Sequence, residues 1–185
     1  MDVPHSDLTT GPLFASLLGS TAFATLPASV LHLHQRQGRS TFVGEVVVVR
    51  GTGLLARLCG WATRLPPSGH GAITVTIDSS SERETWTRHV AGHAMRSRLW
   101  AVDGLLTEKL GLVTFGFALS IEQGQLIWRV ERVRALGFIP LPRRAFSAVK
   151  AREGQDRDRY TFDVTATLPF VGPLVHYRGW LNVPY

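Results

Sequence analysis

GTGLLARLCGWATRLPPSGH, residues 51–70, decides the fold. Leu54, Leu58, Ala62 and Leu65 recur at helical spacing with Leu55 and Cys59 beside them, so the spacing predicts one amphipathic helix over 54–65. Gly51 and Gly53 loosen its start. Pro66-Pro67 stops it, because proline lacks the amide donor and clashes with the preceding turn. A strand-like run, FVGEVVVV at 42–49, precedes it, and nearly everything after it is strand-like. One helix set into a long antiparallel sheet is the expected architecture. A curved sheet must bury its concave face, and the helix is expected to fill it with Leu54, Leu58, Ala62 and Leu65 turned inward. Leu58→Ala would then cost about 2–5 kcal/mol, the range for a large-to-small change in a core.

Strand signals run outward from this helix in both directions. Thr41–Arg50 comes first; Ala72–Asp78 and Glu84–Val90 follow, joined by the serine turn at 79–81. Ala94–Trp100 and Leu105–Leu110 flank Asp103-Gly104, a strong hairpin turn. Val113–Glu122 leads through Gln123-Gly124 into Gln125–Arg134. Beyond Gly137 and its prolines lie Phe146–Glu153, Arg159–Leu168 and Pro173–Val183. Alternating strands with frequent turns indicate an antiparallel meander. A sheet of about ten strands curls, because twist accumulates and open edges invite aggregation. The fold class is therefore mainly β (α+β): a barrel or half-barrel with the helix packed on it. Before the first strand the chain reads as a loose leader (1–10) and two short helices within 11–37, packed outside the sheet or across an opening in it. The 185 residues form one domain, with the barrel and its inserted helix over 41–183.

Composition bounds the function. A hydrophobic fraction of 44% and a charged fraction of 18% are globular values. The formal charge is +6, and only Lys109 and Lys150 among the cations are lysines. The arginines are scattered along the strands as on a solvated sheet, without a basic cluster or nucleic-acid motif, so nucleic acid is not an expected partner. The single Cys59 leaves no internal disulfide and no multi-cysteine metal site. No basic segment followed by an apolar run opens the chain, and Val46–Val49 is too short to span a bilayer, so a cytoplasmic location without a transmembrane segment is expected.

Leu26-Pro27, Leu33-His34, Gly44, the run Arg50–Ala56, Leu65-Pro66 and Gly69 make up one half of a wider pattern. Trp86-Thr87-Arg88, Ser97-Arg98, Thr107-Glu108, Phe115-Gly116, Leu136-Gly137, Pro140-Leu141-Pro142, Phe162-Asp163-Val164 and Tyr177-Arg178-Gly179-Trp180 make up the other. Together they resemble a bacterial family catalogued as domain of unknown function 4166, over nearly the whole chain. That family is often fused to a saccharopine-dehydrogenase-like domain, so the resemblance implies a partner oxidoreductase. This chain has no Gly-x-Gly-x-x-Gly after a strand and thus no nucleotide site of its own. No cofactor is expected.

Candidate site residues follow from strand alternation. Trp86, Arg88 and Val90 share one face, and an inward arginine needs an anionic partner, either a ligand or Glu108 or Glu131. His34 lies on the apolar side of a short helix, as a core histidine or an acid–base group. His89 and His93 are separated by a turn at Gly92, and His32 and His34 point in different directions, so no metal site is expected. On the last strand Tyr177 and Arg178 flank a glycine, Gly179, which leaves room for the helix, for a ligand or for a bend of the barrel. The proline-rich stretch 137–142 reads as a buried corner or as a lip touching a membrane or partner. The ligand-binding set is thus Trp86, Arg88, Glu108, Tyr177, Arg178 and His34. The expected function is a binding module for a small apolar or lipid-like molecule. The alternatives are a cyclase- or isomerase-type enzyme using His34, Glu108 or Tyr177 in the same cavity, and a non-catalytic accessory of an NADP-dependent oxidoreductase.

Overall fold

The computed structural model describes residues 11–184. The leader expected at 1–10 lies outside the described residues. Helices α1 (Leu13–Leu18), α2 (Ser20–Phe23) and α3 (Ala28–Gln35) precede β1 (Gly38–Arg50), and α4 (Leu54–Ala62) follows it. The strands then run β2 (Gly69–Ser79), β3 (Arg83–Val90), β4 (His93–Val102), β5 (Leu105–Leu110), β6 (Val113–Glu122) and β7 (Gln125–Ala135). After them come β8 (Ile139–Leu141), a 3-10 turn at Arg143–Phe146, β9 (Val149–Asp156), β10 (Arg159–Leu168) and β11 (Gly172–Asn182).

Every strand pairs antiparallel with its neighbour, β1 also pairs with β11, and β6 with β7. Ten strands therefore close into a barrel in the order β1 to β7, then β9, β10 and β11. The short β8 is extra. It takes the far half of β7 (Val133–Ala135), while β9 takes the near half (Leu126–Arg129). A closed barrel leaves its ten strands no open edge. The turns suit the twist; Asp103 and Gly104 both hold positive φ, the geometry of a tight two-residue hairpin. Gly44 and Gly179 are needed where β1 and β11 coil against each other. A Cβ on Gly44 would meet the Trp180 carbonyl oxygen at 1.8 Å, and one on Gly179 would meet the Glu45 carbonyl oxygen at 2.1 Å and the Phe162 ring at 2.8 Å. The room beside Tyr177 is thus taken by backbone and Phe162, not by a ligand or a helix.

The interior is filled by alternate strand residues together with the N-terminal helices. Ile73, Val75, Trp86, Leu99, Leu106, Phe117, Trp128 and Tyr160 come from the strands. Leu13, Phe14, Val30, Leu33 and His34 come from α1 and α3, which close one end. Ser29 at the start of α3 ties this cap to the barrel, its backbone N–H donating to Gln155 Oε1 at 2.8 Å.

Helix α4 lies at the opposite end against β11, and here the expectation needs correcting. It packs by its small residues, Ala56 and Gly60, not by its leucines: Leu54 is 82% exposed and Leu58 59%. Leu65, past the helix end, is the one member of the expected apolar face that is buried. The physical reason is closure. A closed barrel offers no concave face for a helix to fill, so α4 lies flat on the rim, where only small side chains allow close approach. The Leu112 backbone N–H donates to the Ala62 carbonyl at 2.8 Å, and a Cβ on Gly111 would meet that oxygen at 2.3 Å.

Candidate functional site

The inward face of β3 carries Glu84, Trp86, Arg88 and Val90, with Thr85, Thr87 and His89 turned away. Arg88 is buried. Its Nη1 donates to Ser97 Oγ at 3.0 Å, its Nη2 lies 3.7 Å from Glu108 Oε1, and its guanidinium sits 4.9 Å from the Trp86 ring centroid. A guanidinium cannot shed its proton to escape burial, so this partnering is required for it to stand inside the barrel.

A second polar group lies toward the N-terminal cap. His34 Nε2 is 2.6 Å from Glu153 Oε2, and the imidazole packs tilted against Phe14, with ring centroids 3.7 Å apart. Glu153 also accepts from the Tyr160 hydroxyl, whose pKa burial pushes well up, helped by the negative charge of Glu153. Glu84 accepts from Trp86 Nε1 at 2.7 Å and from Ser79 Oγ at 3.2 Å. Burial raises its pKa, against the opposing pull of His34 and these two donors. The interior thus holds three buried carboxylates, Glu84, Glu108 and Glu153.

Between the two groups a cavity of about 80 Å³ remains, with the exposed Lys150 at its edge. Trp86, Arg88, Glu108, Trp128, Glu153 and Tyr177 contribute to its wall; Ile73, Val75, Phe117 and Leu181 are among the apolar remainder. Burial pushes the Tyr177 hydroxyl up to about 12, with Arg88 opposing and Glu108 and Glu153 adding to the rise. The indole N–H of Trp128 is buried with no hydrogen-bond partner. Phe162 lines both this cavity and an outer groove of about 490 Å³ that Arg152, Arg178 and Trp180 border. Its ring lies inside, against Tyr160 and Tyr177, and the paired backbone of β10 and β11 separates the cavity from the groove.

Trp86, Arg88, Glu108 and Tyr177 therefore meet in one cavity, as strand alternation predicts. His34 does not line it but stands behind its wall, bonded to Glu153 and stacked on Trp86 with ring centroids 5.9 Å apart. Arg178 does not reach it: with Tyr177 inward, a period of two puts Arg178 on the outer surface, in the groove. Glu131 is not interior either; β7 bulges there, with Gly116 opposite Arg132 and Phe117 opposite Val130, and Glu131 pairs with Arg143 at 2.8 Å. Sequence reasoning missed Glu84, Trp128, Glu153 and Tyr160. Glu84 could have been found, since it lies two residues before Trp86 on the same face. Glu153 is the third residue of a polar-looking stretch, AREGQDRDR at 151–159, where nothing marks one carboxylate as inward. Among the described residues no group of three His, Cys, Asp or Glu side chains could hold a metal ion, and no helix is long and apolar enough to cross a membrane.

A closed ten-stranded barrel, with helices at both ends and a mixed cavity inside, defines a small β-barrel domain. Within that class the chain belongs to the family described as domain of unknown function (DUF4166), whose pattern it matches over residues 26–181. No curated protein matches it. Among solved structures it is similar to Rv2717c from M. tuberculosis, with a TM-score of 0.47 and 10% identity, over 86% of this chain and 99% of that one.

Proposed function

We propose that this domain is a binding module that holds a small molecule in the barrel interior, with an apolar body against Ile73, Val75 and Phe117 and a polar head toward Arg88, Tyr177 and Trp128. The observation that carries this reading is the unpartnered indole N–H of Trp128 in a residue that lines the cavity. A buried donor left unsatisfied costs about 1–3 kcal/mol, and an acceptor on a ligand would remove that cost. The volume limits the ligand. Typical ligand sites span roughly 300–1,000 Å³, so about 80 Å³ suits a few heavy atoms and excludes a lipid tail. Work in a reducing cytoplasm, the compartment a lone Cys59 suits, is part of this proposal.

The test is native mass spectrometry of gently purified protein, with Arg88→Met purified in parallel. The reading expects a small adduct on the natural chain that is lost or depleted on Arg88→Met. An interior holding only water, with no adduct on either, would overturn it and leave the accessory role beside an oxidoreductase. A second reading, an isomerase-type enzyme, is favoured by one observation: Glu153 in the cavity wall is backed by His34 and Tyr160 as a positioned base would be. Turnover of a recovered ligand by the natural chain and not by Glu153→Gln would select it.

A further inference from the structure

We propose that the α4 end of the barrel docks end-on onto an anionic lipid bilayer surface. This does not rest on the interior cavity. Of the twelve large hydrophobic side chains exposed among the described residues, nine lie in the segments that join strands at this one end. Leu54, Leu55, Leu58 and Trp61 form a single outward stripe on α4, Trp61 being 70% exposed. Around it, Leu112 tips the β5–β6 turn, Phe138 the β7–β8 turn at 73% exposure, and Phe170 the β10–β11 turn, fully exposed. Five separate connections at one end thus include four with apolar tips. A core defect would not distribute them so; a surface that enters an apolar phase would.

Charge is polarised along the same axis. The connecting segments at the α4 end, 51–68, 91–92, 111–112, 136–148 and 169–171, contain no aspartate or glutamate. The turns at the opposite end carry Glu82, Asp103 and Asp158. An open groove of about 1420 Å³ beside α4 is lined by Arg57, Arg64, Arg96, Arg98 and Lys109, with no acidic residue in its wall. All five are exposed. Apolar tips set among cations without acidic neighbours match the boundary between acyl chains and anionic headgroups, where apolar side chains bury at shallow depth and cations stay at the headgroups. A protein partner would need an extended acidic rim around an apolar centre to match the same pattern. The lipid surface offers both everywhere.

Vesicle flotation of the 185-residue chain tests this, with phosphatidylcholine vesicles alone and with phosphatidylglycerol added. The expected result is flotation with the anionic vesicles, weakened by salt as surface attraction is screened, and little with the neutral ones. Leu58→Ser/Trp61→Ser and Arg96→Glu/Arg98→Glu should each lower partitioning about tenfold or more with an unchanged melting midpoint, since all four side chains are exposed. Val43→Ser/Val47→Ser, on the outer face of β1, should float like the natural chain. Absence of flotation at low salt overturns the proposal. Loss on the arginine variant alone, with the apolar variant unaffected, also overturns it, because adsorption by charge needs no docked end. So does a concentration-dependent dimer abolished by Leu58→Ser/Trp61→Ser without flotation, which would make this end a protein interface.

Discussion

Arg88 is the residue whose setting makes the sharpest stability claim. Its charge is matched by Glu108 inside the barrel, so removing one partner leaves the other buried alone. Arg88→Met should therefore destabilise the domain by about 3–5 kcal/mol, and the double variant Arg88→Met/Glu108→Met should recover much of that loss. Urea denaturation of the two single variants and the double variant measures the coupling; additive losses would mean that the 3.7 Å pair contributes nothing. Glu84 makes a pH claim. Its folded pKa is raised above 4.5, so its contribution is fully present below about pH 4.5 and is lost as pH rises through the folded value. Glu84→Gln, neutral throughout, should gain on the natural chain as pH rises from 4.5 to 8 in urea melts. The exposed Glu122, held by Arg129 to about 2, acts with the opposite sign and loses its contribution only as pH falls from 4.5 toward that value, outside this window. A constant difference between the two proteins across the window would contradict the buried placement of Glu84.

At the scale of elements, α4 shows where periodicity informs and where it does not. The repeat of Leu54, Leu58 and Ala62 marks a helix correctly, but it marks an apolar face without saying what the face meets. The tell was Ala56 and Gly60, also four apart, whose small size permits the close approach of the rim. Leu58→Ala should accordingly cost under about 0.5 kcal/mol, as exposed substitutions do, while Ala56→Leu should cost about 1–3 kcal/mol by overpacking. Chemical denaturation of the two variants decides the orientation, and the reverse ranking would restore the inward leucines. The strands were legible because alternation with period two is a local property: Trp86, Arg88, Glu108 and Tyr177 reach the interior as expected. Arg178 was misplaced although the same rule turns it outward. Glu131 was unreadable, since a bulge breaks the period at a point the sequence does not mark. Closure was also out of reach, because the β1–β11 and β7–β9 pairings join strands that are not neighbours in sequence and depend on barrel curvature, not on any one segment.

For the whole molecule, the closed barrel places the Phe162 ring in the interior against Tyr160 and Tyr177, with the β10–β11 backbone between it and the outer groove. Phe162→Ala should enlarge the interior cavity at a stability cost of about 2–4 kcal/mol, near the lower end for an aromatic truncation because this ring is half-buried. It should also raise binding of an apolar fluorescent dye such as anilinonaphthalene sulfonate in the folded state; unchanged dye binding would show that the ring does not limit the cavity. The claim on which the functional reading turns is that the cavity receives a ligand at Trp128. The direct measurement is an indole N–H correlation spectrum of the 15N-labelled protein, which carries five tryptophans, titrated with short carboxylic acids and alcohols from acetate to butanol. Trp128→Phe assigns the signal. An occupied cavity predicts that the Trp128 indole resonance moves, saturably and ahead of that of the exposed Trp61, and that Arg88→Met weakens the shift for acids more than for alcohols. A Trp128 resonance that stays fixed for every member of the series would contradict it.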